Sequence, residues 1–292
     1  MNNKGLAAGA EREPQEELLA WENLGAQPAV RAFRHSLTDL ILRPGRFFRA
    51  MALTGGLHEP VAFFAVVLMA GIALAFPAAL ACVGLAAGDP DAAPSASYKA
   101  LVFAARATGL MLVALPLTAL VLSAAMVLLG SLFHAGGKAF GLRNWEGSVS
   151  IWLYAGAAAL VPLVAAAGAI LAVSLAGYLL SIPWPGARAT ALPVAQWTAR
   201  VLVPAALLTG SVLFVLDTLV GCARAFRLEA IVGIAAGVSG LVLPAAALGT
   251  IAWCVEAQRT VAGLMAAGAA LCLAAGTVLG GVIASRRGEE GA

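Results

Sequence analysis

Charge is scarce in this chain. Asp, Glu, Lys and Arg make up 11% of its 292 residues, whereas 61% are hydrophobic. A soluble domain carries about 25% charged residues, so a single polar-surfaced globule is excluded. The same figures exclude intrinsic disorder, because so apolar a chain does not stay solvated. Cysteine is sparse as well. Cys82, Cys222, Cys254 and Cys272 stand alone, with no CxxC or Cys/His spacing. That excludes a disulfide scaffold and leaves no metal-ligating set; the four read as small buried apolar residues. Residues 1–58 lack the apolar core of a secretory signal, so no cleaved leader is expected. No nucleophile–base constellation emerges either. Gly136-Gly137-Lys138 lacks the first Gly and the Ser/Thr of a phosphate loop. His134 and Lys138 have no carboxylate beside them in sequence and read as a solvated helix end. Nothing points to an enzyme, a cofactor, a metal or nucleic acid.

What the chain does have is long uncharged runs. A spanning helix needs about 20 apolar residues. Six stretches meet this: roughly 60–85, 110–132, 150–180, 201–220, 230–254 and 261–284. The expected fold is an all-α polytopic bundle of six spans with both termini on one side. The positive-inside rule fixes that side. Most Lys and Arg fall in the N-terminal segment, in the second and fourth connections and in the tail (Arg43, Arg46, Arg49, Lys138, Arg143, Arg224, Arg227, Arg286, Arg287), which are then cytoplasmic. The outer connections, 86–105 and 181–199, have the Gly/Pro/Asp composition of loops. Trp184, Trp197 and Trp253 would form the outer interfacial belt, Trp145 and Trp152 the inner one.

Residues 1–27 form a polar, acidic tail, in which a short helix over 11–24 and disorder are equally open. Residues 28–58 are different. Val30, Phe33, Leu37, Leu40 and Ile41 fall on one helical face. Pro44 breaks that helix and can start another bearing Arg46, Phe47, Phe48 and Arg49. Arginines interleaved with apolar and aromatic anchors suit a helix lying in the membrane interface. Packing on the cytoplasmic side of the bundle is the plainer reading, and both can hold together. The basic residues are candidate contacts for anionic lipid or an acidic partner, each Lys/Arg near anionic lipid contributing about 1 kcal/mol.

Asp217 is the one acid within the spans and so the candidate intramembrane polar site. At ~1.5 Å per residue from Val201 it lies about 24 Å into a ~30 Å core, close to the inner boundary. A contact with Arg224, two turns on, is the structural expectation; ion or proton coupling is the functional one. Pro77, Pro116, Pro162, Pro204 and Pro244 each interrupt a span. They can shape a transport cavity or serve packing. Gly233/Gly237 and Gly276/Gly280 are GxxxG pairs for close helix approach.

Several local patterns converge on one family. Leu42-Arg43-Pro44-Gly45-Arg46-Phe47-Phe48-Arg49, then Gly55-Gly56 and Glu59-Pro60, resembles the approach to the first span in Yip-domain (Ypt/Rab-interacting) membrane proteins. Leu132-Phe133-His134 through Phe140-Gly141, Trp145-Glu146-Gly147 and Tyr154-Ala155 resemble that family's second inner connection and third span. The run Gly221 to Ala230 resembles the connection before its last span. The resemblance implies a five-span domain over 59–255, to which residues 256–292 add a sixth span and short tail. It also implies a non-enzymatic scaffold or adaptor. The Ala/Gly-rich composition looks bacterial, so Rab binding does not carry over and the inner membrane is the expected location. Expected partners are the bilayer, a membrane or cytoplasmic protein, or a second copy of the chain. The competing function is a small-molecule or ion transporter, its kinked helices enclosing a cavity with Asp217 as coupling residue.

Overall fold

In a computed structural model the protein is described at residues 19–22, 28–54, 56–87, 94–181, 184 and 186–254. The described residues form seven α-helices and one 3-10 turn, with no strand. Two short helices lead: α1 (Ala29–Leu42) and α2 (Pro44–Ala50). Five long ones follow: α3 (His58–Ala87), α4 (Pro94–Gly137), α5 (Trp145–Ser181), α6 (Ala187–Ala225) and α7 (Ala230–Cys254). Each of the five contains a stretch long and apolar enough to cross a bilayer. The protein is a membrane-embedded helical bundle. The expected sixth span, 261–284, the pair Gly276/Gly280 and the tail arginines Arg286 and Arg287 lie outside the described residues, as does most of the acidic tail.

Helices extend into both stretches expected to be outer loops. Residues 94–109 belong to α4, with Pro94 at its first position, where a missing N–H costs nothing. Residues 187–199 belong to α6, which runs through Pro193 and Pro204. Each predicted span proline lies inside a helix that continues past it. Neighbouring helices and local adjustment can re-satisfy the freed carbonyls.

α5 is the hub. It packs most extensively on α6 and α3, and also on α4; α7 packs on α4 and α6. Every residue from Gly147 to Ala158 is buried, so this part of α5 is covered on all sides. The run Ala155-Gly156-Ala157-Ala158 keeps its circumference small and lets neighbours close in. The GxxxG pair of α7 works inside the chain. A methyl on Gly233 would sit 2.6 Å from the Ala223 Cα, and one on Gly237 2.7 Å from the Leu219 side chain.

The outer faces of α4 and α6 expose Leu117, Leu120, Leu128, Leu207 and Leu208, as a lipid solvent favours. Between α3, α5 and α6 lies a cavity of about 440 Å³, lined by Val67, Ile72, Leu163, Ile170, Val203 and other apolar residues.

Candidate functional site

The basic end of the bundle is built from α1, α2, the starts of α3, α5 and α7 and the ends of α4 and α6. Pro44 starts α2 after Arg43, whose N–H closes α1 by bonding the Asp39 carbonyl at 2.8 Å. α2 then lies on the end of α6, where a methyl on Gly45 would sit 3.9 Å from the Arg224 Nε. Arg43, Arg46, Arg49, Arg143, Arg224 and Arg227 are all exposed. The loops bearing Arg143 and Arg227 meet, because Gly141 packs on Leu228. Arg227 has φ 51° and ends α6, with the Leu228 N–H bonding the Ala223 carbonyl at 2.9 Å. That is a Schellman closure with arginine where glycine is usual. These contacts join arginines far apart in sequence into one basic surface.

Phe47 and Phe48 are not on that surface. They are 1% and 0% exposed, which corrects the expectation that they reach toward lipid or a partner. A seven-residue helix lying on the bundle has to bury its apolar side somewhere, and this one buries it inward. Phe47 meets Phe48 at 5.3 Å and Tyr154 at 4.9 Å, both edge-on. Trp21, Phe33 and Phe63 continue the cluster, with Phe63 5.3 Å from Tyr154. α1 contributes Phe33, Leu37 and Leu40 from its predicted apolar face, whereas Val30 stays exposed.

The cluster is closed by a segment that sequence reasoning assigned to a polar tail. Leu19 and Trp21 are buried. The Trp21 backbone N–H donates to Ser36 Oγ at 3.0 Å, and its indole Nε1 donates to the Glu59 carbonyl at 2.8 Å. Glu22 accepts from Tyr154 Oη at 3.2 Å and from the Ala52 N–H at 3.0 Å. Burial pushes the Glu22 carboxyl above its ordinary value of 4.5. Its two hydrogen bonds act against that rise, and nearby Glu59 adds to it. A tryptophan among acids was the available signal.

The start of α5 is fixed by Asn144. Its Oδ1 accepts from the Gly147 N–H at 3.3 Å, a side-chain N-cap, and its Nδ2 donates to the Leu53 carbonyl at 2.8 Å. Glu146 accepts from the Gly56 N–H at 3.3 Å. The linker between α2 and α3 is thereby tied to the head of α5.

Asp217 is buried within α6, and its Oδ2 has no hydrogen-bond partner among the described residues. The expected contact with Arg224 does not form. Arg224 is at the exposed helix end beside α2, and the described ion pairs do not include it. Trp152, expected in an interfacial belt, is 4% exposed, wedged between Phe133 and Phe214. Trp145, Trp184 and Trp197 are exposed. His134 Nδ1 lies 3.0 Å from Ser148 Oγ. Comparison of the chain with protein-family models, curated proteins and solved structures finds no match.

Proposed function

We propose that this chain is a non-enzymatic multi-pass membrane protein that acts as a scaffold or adaptor through its basic end. The exposed surface uniting Arg43, Arg46, Arg49, Arg143, Arg224 and Arg227 carries this reading. Such a surface suits contact with anionic lipid or an acidic protein, each arginine near anionic lipid contributing about 1 kcal/mol. In this reading the chain crosses a bacterial inner membrane six times and belongs with Yip-type proteins. Both termini and the basic end are then cytoplasmic, a placement that the lysine and arginine distribution supports. The firm aromatic packing beneath α2 supports the role, since a docking face works best on a rigid base.

Affinity capture from native membranes, with identification of co-purifying lipids and proteins, tests the proposal. The Arg43→Ala, Arg46→Ala, Arg49→Ala triple variant should lose anionic lipid or an acidic partner from the captured set. Profiles identical to wild type would refute docking through this face.

A further inference from the structure

Facing helices in the bundle interior carry two polar atoms that no group among the described residues satisfies. Asp217 on α6 is 2% exposed and Trp152 on α5 is 4% exposed. Asp217 Oδ2 and Trp152 Nε1 both lack a hydrogen-bond partner among the described residues. An indole N–H can only donate, and a carboxylate oxygen accepts. Leaving either unpaired forfeits the hydrogen bond that water would otherwise supply. The two atoms are chemical complements.

Helix contacts place them at one level. Gly210 of α6 lies against the Ala159 carbonyl of α5, and Gly221 lies against the Ile151 side chain. Residues 210, 214, 217 and 221 are spaced by four, three and four, so they share the stripe of α6 that faces α5. Between those two contacts, Asp217 comes level with α5 residues 152–155. The Trp152 ring reaches the same stripe, 4.8 Å from the Phe214 ring, one turn from Asp217. Phe133 covers its other side at 5.4 Å.

The geometry points to a proton-binding site in the bundle interior, in which one water molecule bridges Asp217 Oδ2 and Trp152 Nε1. The water accepts from the indole and donates to the carboxyl group, and a buried water needs 2–4 such partners. A metal ion fits poorly, because the indole offers a donor where a cation needs an acceptor. Among the described residues no group of three or more His, Cys, Asp or Glu gathers anywhere. Proton exchange here moves a proton between solvent-derived water and the Asp217 carboxylate, with no electron transfer. His134, half-buried at the end of α4, touches Ser148, which is one turn from Trp152. These polar groups step from the basic end toward Asp217.

The other ionisable groups on elements around α6 are engaged or remote. Tyr154 of α5 gives its hydroxyl to Glu22. Arg46 and Arg49 of α2 are exposed, and His58 and Glu59 sit in the first turn of α3, paired at 2.7 Å. α7 carries no charged residue. On α6 itself Arg224 is exposed and Cys222 packs toward Gly237. This inference does not depend on docking at the basic end.

The test uses the full chain with 15N-labelled tryptophan in lipid nanodiscs, the Trp152 indole resonance being assigned by its loss in Trp152→Phe. That resonance should shift with pH along a single titration and show magnetisation transfer from water. In Asp217→Asn, which keeps the side-chain shape, the pH-dependent shift should vanish. A pH-independent indole resonance in the wild type overturns the proposal. So does a titration that survives in Asp217→Asn, which would assign it to His134. A titrating resonance without transfer from water overturns the bridging molecule.

Discussion

The two halves of this bundle use the same apolar residue types and pack them differently. At the basic end, α5 is covered on every side from Gly147 to Ala158, and the rings of Trp21, Phe33, Phe47, Phe48, Phe63 and Tyr154 interlock beneath α1 and α2. Farther along, α5 exposes Leu175, Leu179 and Leu180, and a cavity of about 440 Å³ opens between α3, α5 and α6. Apolar side chains gain little by leaving lipid for protein, so composition alone does not tighten a membrane bundle. The difference comes from what lies outside the apolar runs. Two short helices and a tryptophan-bearing turn cap one end, and there hydrophobic burial from water operates.

Truncating a ring of the capped end should have the largest effect. Phe47→Ala is expected to destabilise the protein by about 3–5 kcal/mol, as loss of a buried phenylalanine does. Equilibrium unfolding in mild detergent measures it. A near-neutral result would mean that α2 is loosely held and the contrast between the halves is false.

The turn at Glu22 should respond to pH. Its folded-state carboxyl value is raised, so the folded protein holds the proton more tightly than the unfolded chain. Stability from this group is therefore fully present below the unfolded value of 4.5 and declines as pH rises from there through the raised folded value. Glu22→Gln should flatten that decline, read as the melting temperature of both proteins across the interval. Parallel curves would show that Glu22 is not the titrating group. Tyr154→Phe leaves one Glu22 oxygen without its donor and should cost about 1–3 kcal/mol.

Smaller still is the cap on α5. Asn144→Ala should cost about 1 kcal/mol and free the linker at Leu53, seen as faster amide exchange there. The smallest change belongs to the open half. Ile72→Ala on the cavity wall should stay within about 0.5 kcal/mol, as for a surface site, because acyl chains can fill the space. A loss matching Phe47→Ala would show that the cavity is a packed core and erase the contrast.

Five of the six expected spans, the break at Pro44 and the gathering of arginines at one end were legible in the sequence, because each rests on a local signal: run length, a missing N–H, or charge. Which apolar residues face protein was not. In α3 and α5 both lipid-facing and bundle-facing positions are apolar, so helical periodicity loses its contrast. Trp152 therefore read as an interfacial ring and proved to be core. Phe47 and Phe48 read as contact anchors because their neighbours are arginines, and only the packing on Tyr154 and α6 assigns them inward. Asp217 was visible as a lone acid. Its separation from Arg224 was not, because sequence spacing cannot show that α2 lies over the end of α6.

The proposed docking face requires that the basic end lie on the cytoplasmic side. The direct measurement is thiol labelling of Arg49→Cys in a chain whose four native cysteines are replaced by alanine. A membrane-impermeant maleimide should label it in inside-out vesicles and leave it unmodified in intact cells. Labelling from outside intact cells, with vesicles protected, would contradict the orientation and remove the cytoplasmic docking role.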